Sequence, residues 1–320
     1  MKWFTVNIIN MDKNKMYLKC KVCGNDFDFF TDLKDHLKNY HKLPAKTYFE
    51  SNWKRIDRFD GTKLEYKTFD QYTTYDFKDK KNYKNWLKTL SREECGDYFK
   101  HKLLQYCDLK NLEYAPSQVE CQTISCLIPA SSMEGFSGLN YNDICESINL
   151  KTRFNYKNKD IPLTPIDQII IDTREQKPFK FKDRIVIESK LEYGDYSVHP
   201  NNKLAVERKS LIDLFGTLSG GRERFEKEIQ RAKKTDGYIV VVVESTLNNM
   251  LYQKQKFSKA SGDFIAHNMR QILRNYDNIQ FVFCDGREEA RVKTIHILGM
   301  NENVFNIDLQ YYFDTTWQSL

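Results

Sequence analysis

The chain has 320 residues, of which 40% are hydrophobic and 29% are charged, and its formal net charge is +6. This length is enough for two or three domains with at least one sizeable core. No run of about 18 apolar residues occurs, so no membrane span is predicted, and the N-terminus is too short and too polar for a secretion signal. Eight cysteines do not make a disulfide scaffold in a chain of this length. We therefore expect an intracellular, reducing environment: the cytoplasm, a host cytoplasm for a viral protein, or the nucleus for a eukaryotic one.

Positive charge is concentrated in the first third of the chain. Residues 1–110 contain 23 basic and 16 acidic residues, residues 111–166 contain 4 and 6, and residues 167–320 contain 23 and 22. An N-terminal excess of this kind favours contact with a nucleic acid, although lysine-rich surfaces are also common in proteins that bind none.

Changes in composition divide the chain into four parts. We predict a Cys/His unit at 15–50, a basic and aromatic middle region at 51–160 that is mostly helical and contacts DNA, an α/β domain at 166–300 and a tail at 301–320. Pro162 and Pro165 mark the start of the α/β domain.

Two cysteines and two histidines of the first part have the spacing of a Cys2His2 zinc finger, Cys-x2-Cys-x12-His-x4-His: Cys20, Cys23, His36 and His41. Residues of these types bind Zn²⁺ tetrahedrally in structural sites. Phe27 and Leu33 fall at the two apolar core positions of such fingers. The sequence therefore predicts a ββα zinc finger with a structural Zn²⁺.

The residues at the base-reading positions of the finger helix leave the role of the finger open. The positions that read DNA bases in such a finger are Phe29, Asp32 and Asp35, and two carboxylates there would face phosphates, although Asp can accept a hydrogen bond from cytosine. A single finger also spans only about 3 bp. A structural or docking role, or phosphate contact, is favoured over base reading; the lysines available for phosphate contact are Lys34, Lys38, Lys42 and Lys46.

In the middle region, residues 76–88 combine five lysines with three aromatic residues. Such a mixture suits phosphate contact through Lys81 and Lys84 together with stacking of bases on aromatic rings. The alternative is an amphipathic helix with Tyr83, Trp86 and Leu87 in a core and the lysines in solvent. Five cysteines lack metal-binding spacing and are predicted to be small buried residues: Cys95, Cys107, Cys121, Cys126 and Cys145.

Strands and helices alternate in the α/β domain. Strands are predicted at 168–172, 184–190, 195–199, 203–208, 238–244 and 280–284, and helices at 210–234, 262–276 and 287–299. The second and third strands are expected to pair around a turn at Tyr193 and Gly194. This pattern predicts a mixed sheet flanked by helices.

Acidic residues and a lysine lie at the ends of these strands. Asp195 and Glu207 end adjacent strands, so their carboxylates can converge on Mg²⁺ or Mn²⁺. Lys209 lies two residues beyond Glu207 and therefore points to the same side of the strand, where it can orient a water or stabilise developing charge. Asp172 ends the first strand and Glu175 follows it, and Asp172 is a further candidate ligand of the metal. The pattern indicates metal-dependent hydrolysis of phosphodiesters.

Four segments in this order resemble the nuclease domain of the XPF-type structure-specific endonucleases: I-I-I-D-T-R-E-Q-K-P-F, G-D-Y, V-E-R-K-S-L-I-D-L and S-G-G-R-E-R-F-E-K-E-I. The resemblance is close over about 168–245 and extends to about 300. It implies a restriction-endonuclease-like domain whose catalytic core is Asp195, Glu207 and Lys209, with Asp172, Glu175 and Arg208 in support. It also implies that Arg222 and Arg224 lie on the following helix, where we expect DNA contact; pairing with Glu223, Glu226 or Glu228 is the alternative.

The expected function is a metal-dependent DNA endonuclease, targeted by the finger and the middle region. It would act in DNA repair, in recombination or in the processing of phage or mobile-element DNA. The alternative is a non-catalytic DNA-binding or scaffold protein with a vestigial nuclease fold, which the intact Asp195, Glu207 and Lys209 disfavour. A homodimer or a partner subunit at the nuclease domain is left open. Family members often carry tandem helix-hairpin-helix motifs after this domain, and no such pair occurs here, so the resemblance does not define the DNA structure that is cut.

Overall fold

A computed structural model describes residues 17–55, 63, 65–74, 80–124, 126–198, 203–253, 255–256 and 258–317, with the backbone alone at 70, 71, 74 and 80–82. The predictions for the N-terminus and for the Lys81 side chain lie outside the described residues. The chain divides into two compact units, Met1–Tyr98 and Phe99–Leu320. Across the described ranges, no helix is both long enough and apolar enough to cross a membrane.

Short helices form the first unit: α1 (Phe30–Tyr40), α2 (Ala45–Asn52), α3 (Phe69–Thr74) and α4 (Lys80–Leu87). Before α1, Lys19 and Asp26 form an isolated antiparallel bridge, so the predicted ββα order is present as one bridge followed by a helix. Leu33, Leu37 and Phe49 are fully buried in the core of this unit. A long helix, α5 (Arg92–Lys110), continues from this unit into the second.

Three further helices of the second unit precede its sheet: α6 (Gln118–Thr123), α7 (Ala130–Ser137) and α8 (Tyr141–Glu146). The N–H of Gln118 donates a 2.6 Å hydrogen bond to the buried carboxylate of Asp308, near the end of the chain. Residues 99–160, grouped with the middle region from the sequence, thus belong to the same unit as the sheet. The domain boundaries predicted from composition stay predictions. The five cysteines predicted to be buried are buried.

A six-stranded mixed sheet forms the centre of the second unit: β1 (Gln168–Asp172), β2 (Ile185–Ser189), β3 (Tyr196–Ser197), β4 (Leu204–Lys209), β5 (Tyr238–Val243) and β6 (Ile279–Phe283). The strand order is β2-β1-β3-β4-β5-β6. Strand β3 is antiparallel to both of its neighbours, and the other pairs are parallel. The carboxyl ends of β1, β4, β5 and β6 and the amino end of β3 therefore lie at one edge. The predicted fold class is confirmed.

Two local predictions are wrong. Strands β2 and β3 do not pair with each other, because β1 lies between them; β2 is instead an edge strand whose five residues are all exposed. The helix predicted at 210–234 is two helices, α9 (Leu211–Leu218) and α10 (Arg222–Lys234), separated by the residues Ser-Gly-Gly, which disfavour a continuous helix.

Association of the nuclease domain with a second copy or a partner subunit stays a prediction.

Both faces of the sheet are covered at its central strands. Ile239, Val241 and Val243 of β5 pack on one face and Val240 and Val242 on the other, and all five are fully buried. The remaining helices are α11 (Leu247–Tyr252), α12 (Gly262–Asn275), α13 (Arg287–Met300), a 3₁₀ helix (Asn301–Asn306) and α14 (Leu309–Thr316). The segment predicted as a tail therefore contributes two helices to the core of the unit.

Candidate metal-dependent nuclease site

The predicted catalytic residues meet at one edge of the sheet. Asp172 ends β1, and Glu207 and Lys209 lie in the last three residues of β4. Asp195 immediately precedes β3, whose antiparallel direction brings it to the same edge. A slip of one residue in this register would turn Glu207 and Lys209 to the other face of the sheet. The pairing of the strands therefore determines which side chains meet at the site.

Backbone hydrogen bonds hold Asp195 between β1 and β4. Its N–H donates to the Val206 carbonyl at 2.9 Å, and its own carbonyl accepts from the Asp172 N–H at 2.9 Å. Its carboxylate Oδ2 accepts from the Arg208 N–H at 2.8 Å. Gly194 has a φ of +72°, and a Cβ there would lie 2.7 Å from the Cβ of Ala205. Only glycine therefore lets the turn approach β4 closely.

Glu207 and Lys209 form an ion pair on the same side of β4. Glu207 is buried, with 6% of its surface exposed. Burial would lower the pKa of Lys209, but the neighbouring carboxylates, first Glu207 and then Asp195 and Glu228, together raise it, so the ammonium stays charged at neutral pH.

Two carboxyl groups share this low-dielectric region. Burial, together with the charge of Glu207, raises the pKa of Asp195 to about 8, and burial also raises the pKa of Glu207. Hard carboxylate oxygens suit Mg²⁺ or Mn²⁺, and a cation between them would relieve their mutual repulsion. The donor set of Asp195 and Glu207 therefore fits the predicted divalent metal.

The raised pKa of Asp195 should make the stability of the Mg²⁺-free protein depend on pH. Unfolded Asp195 releases its proton near pH 4, whereas the folded group keeps it up to about pH 8. The folded state binds more protons between these values, so stability falls as the pH rises, by at most about 1.4 kcal/mol per pH unit from this group. Thermal melts from pH 5 to 8 should show this fall, reduced in Asp195→Asn and by added Mg²⁺. A variant melting profile parallel to that of the wild type would contradict it.

Asp172, also predicted as a metal ligand, has four N–H donors on its carboxylate. Its Oδ1 accepts from the Arg174 backbone N–H at 2.8 Å and from Arg174 Nε at 2.7 Å. Its Oδ2 accepts from Arg174 at 3.0 Å and from the Leu191 N–H at 2.6 Å. Against the effect of burial, these donors lower the pKa of Asp172. They anchor two loops at the site, and metal ligation by Asp172 stays a prediction.

Glu175 and Arg208 belong to a chain of ion pairs beside the site. The Arg208 guanidinium lies 3.0 Å from Glu175 and 3.4 Å from Glu244, and Glu244 also pairs with Arg287. These carboxylates raise the pKa of Arg208 against the effect of burial. Sequence reasoning assigned no role to Glu244 or Arg287. Glu244 directly follows an apolar strand, much as Asp172 stands at the end of β1. A carboxylate at the end of an apolar run is the sequence signal that would have identified Glu244.

The two arginines predicted to contact DNA differ in their surroundings. Arg222 is half-buried; its side chain donates to Glu226 at 2.7 Å and to Asn268 at 3.1 Å. The pairing alternative therefore describes Arg222 in this structure, whereas Arg224 is exposed on α10. DNA contact by either residue stays a prediction.

In the first unit, the four ligand atoms of Cys20, Cys23, His36 and His41 lie within 4.8 Å of one another. Cys23 Sγ is 3.2 Å and His41 Nε2 is 3.0 Å from His36 Nε2. Tetrahedral Zn²⁺ with bonds of 2.0–2.3 Å requires donors roughly 3 to 4 Å apart. The cluster therefore fits Zn²⁺, which it would hold as a structural ion. The lysines predicted to reach phosphates are exposed: Lys34, Lys38, Lys42 and Lys46.

Two aromatic residues of the 76–88 segment, Tyr83 and Trp86, are in a core, and Phe77 lies outside the described residues. Tyr83 and Trp86 are 1% and 8% exposed, and Leu87 is fully buried. The Trp86 ring centroid lies 4.8 Å from that of Tyr98 in an edge-to-face arrangement. The amphipathic-helix interpretation therefore describes this segment, and base stacking on these two rings does not fit the structure.

Trp86→Ala is expected to lower the free energy of unfolding of the first unit by about 3 kcal/mol, because a buried ring is replaced by a cavity. Chemical denaturation followed by circular dichroism measures this change, and Lys88→Ala, at an exposed position just after α4, is the matched control. Unchanged stability with lost DNA affinity in Trp86→Ala would instead restore the stacking interpretation.

The second unit is of the α/β class, with a mixed sheet that brings two carboxylates and a lysine to one edge. Residues 171–292 match the family model described as the ERCC4 domain. The match agrees with the resemblance of the motifs to the XPF-type nuclease domain.

Two solved structures are similar to the chain: XPF from Aeropyrum pernix, and XPF from Aeropyrum pernix in complex with DNA. Each is 17% identical with a TM-score of 0.34. The first alignment covers 41% of this chain and 63% of that chain, and the second covers 43% and 66%. The chain thus spans just under two thirds of the length of these XPF chains. No curated protein matches the chain.

Proposed function

We propose that the protein is a metal-dependent DNA endonuclease that hydrolyses phosphodiester bonds. The observation that carries this proposal is the convergence of Asp195, Glu207 and Lys209 at one sheet edge within the segment that matches the ERCC4 domain. The four motifs that resemble XPF-type nucleases support DNA as the substrate class. The proposed setting is DNA repair, recombination or the processing of phage or mobile-element DNA.

Asp195 and Glu207 would hold Mg²⁺ or Mn²⁺ in this site. The metal ion supplies an activated water and stabilises charge on the phosphate during the reaction. Lys209 contributes a permanent positive charge, because its pKa is raised by Glu207. Its ammonium has three N–H donors, one of them committed to Glu207. The other two have no partner in the described part of the chain, so they are available to orient the water or to stabilise a phosphate oxygen.

The first unit is proposed to direct the nuclease to its DNA. Its zinc-binding cluster would fix the fold of the finger, and exposed lysines of the same segment would contact phosphates; they include Lys34, Lys38 and Lys42. Phe29, at a position that reads bases in other fingers, is 68% exposed. An intracellular location belongs to the same proposal, supported by eight free cysteines in a chain whose zinc cluster requires reduced thiols.

The proposal is tested by incubating the full chain with Mg²⁺ and labelled DNAs: a single strand, a duplex, a 3′ flap, a fork, a four-way junction and a long natural genome. Cutting of one branched form would establish structure-specific processing, and discrete fragments of the genome alone would establish sequence-specific cleavage. Failure to cut any of these DNAs with Mg²⁺ or Mn²⁺ would contradict an autonomous endonuclease.

A further inference from the structure

A glutamate from outside the sheet is bonded to the turn that carries Asp195. Glu228 lies on α10, and its Oε1 accepts a hydrogen bond from the Gly194 N–H at 3.1 Å. Phe225 and Ile229, which lie near Glu228 on the same face of α10, are buried in the core. They fix α10 against the sheet, so the half-buried Glu228 is presented to the turn by a rigid element.

The other hydrogen bonds described at Gly194 and Asp195 have backbone partners. The Asp195 N–H and carbonyl pair with Val206 and Asp172, and its carboxylate accepts from the Arg208 N–H. The two bonds to Val206 and Asp172 extend the strand ladder, and the bond from Arg208 joins the Asp195 side chain to β4. The bond to Glu228 is a side-chain contact from another element, so a substitution can remove it without altering the sheet.

Charge adds a second link between Glu228 and the site. Glu228 Oε1 lies 3.1 Å from the nitrogen of Gly194, the residue directly before Asp195. The half-buried carboxylate of Glu228 therefore lies beside the backbone that carries a proposed metal ligand. A divalent cation held by Asp195 would experience this negative charge as an attraction.

We propose that Glu228 is a positioning residue of the metal centre. Through Gly194 it fixes the backbone that carries Asp195, and its charge strengthens the binding of the divalent cation by Asp195 and Glu207. This inference rests on the proposed function and adds to it a residue that touches neither the metal nor the substrate. Residues that orient metal ligands commonly change metal affinity or activity by 10- to 100-fold when they are altered.

Two substitutions separate the hydrogen bond from the charge. Glu228→Gln keeps an oxygen acceptor for Gly194 and removes the charge, whereas Glu228→Ala removes both. Glu223→Gln is the matched control, because Glu223 lies on the same helix with its side chain 84% exposed and paired with Lys227. Mn²⁺ affinity of each full-length variant is measured by isothermal titration calorimetry, and cleavage rates are measured over a range of Mg²⁺ concentrations.

The expected result is a graded response. Glu228→Gln should weaken Mn²⁺ binding about 10-fold and keep a nearly normal rate at saturating Mg²⁺, whereas Glu228→Ala should also lose about 10- to 100-fold in that rate. Glu223→Gln should match the wild type. A wild type that cuts DNA and binds Mn²⁺, with Glu228 variants that do the same, would overturn the inference alone. A wild type that does neither would overturn the inference together with the proposed function. If Glu228→Ala does not fold, the Mn²⁺ affinity of Glu228→Gln decides.

Discussion

Asp195→Asn is expected to lower the rate of DNA cleavage by at least about 10³-fold, because a catalytic metal contributes several kcal/mol and each 1.4 kcal/mol is tenfold in rate. The amide side chain has nearly the same shape and can still accept the hydrogen bond that the Arg208 N–H donates at 2.8 Å. The turn is therefore retained, and what is lost is an anionic oxygen at the site. DNA affinity, which depends on other surfaces, should be nearly unchanged. Single-turnover cleavage and fluorescence anisotropy measure the two properties separately.

Asp183→Asn, at an exposed position in the turn before β2, is the matched control and should cut as the wild type does. Glu207→Gln should lose activity as Asp195→Asn does, since it removes the other carboxylate of the pair. Wild-type cleavage by either site variant would contradict the assignment of Asp195 and Glu207 to catalysis. A wild type that binds DNA and cuts none, indistinguishable from both variants, would favour a scaffold with a vestigial nuclease fold.

The sheet edge is the part of the molecule that sequence patterns predicted well. Two apolar runs, one that ends in a carboxylate (168–172) and one followed by Glu-x-Lys (204–209), indicate where strands stop and which side their last residues face. The ladder places Asp195 between the ends of β1 and β4. Local sequence patterns suffice to locate these residues, because each lies at or directly beside the end of a strand.

Strand pairing is a different matter, because it depends on contacts that are distant in the sequence. Nothing in residues 184–199 distinguishes a hairpin from two strands separated by β1, and the hairpin interpretation was wrong. The contact between Glu228 and Gly194 joins residues 34 positions apart, and that between Arg287 and Glu244 joins residues 43 apart. Such partners are set by how helices pack on the sheet, which periodicity within one segment does not encode.

The middle region illustrates a further limit. Tyr83 and Trp86 are three residues apart, a spacing that serves a helix face in a core and a stacking surface equally well. Burial decided between them, and burial depends on whether other residues cover that face. In this chain Tyr98 does so, and its position on α5 gives no signal within the segment itself.

Loss of zinc is expected to unfold the first unit. Apparent free energies of Zn²⁺ binding in finger peptides are about 10–16 kcal/mol, which exceeds the stability of about 5 kcal/mol that a small domain has to lose. Cys23 is exposed, so Cys23→Ser removes little apolar contact and its effect must come through the metal. We expect one zinc per wild-type chain by elemental analysis, much less in Cys23→Ser, and rapid proteolysis of residues 17–55 in that variant.

Val22→Ser separates this effect from a general disturbance of the turn, because Val22 is the neighbouring residue and is 52% exposed. It should keep its zinc and its resistance to protease. Leu33 and Leu37 are fully buried beside the cluster, but a core of this size relies on added constraints such as a bound metal. A metal-free Cys23→Ser protein as resistant to protease as the wild type would show that the apolar core of the unit suffices. The cluster would then have no structural role, and the finger-like spacing of Cys20, Cys23, His36 and His41 would need another explanation.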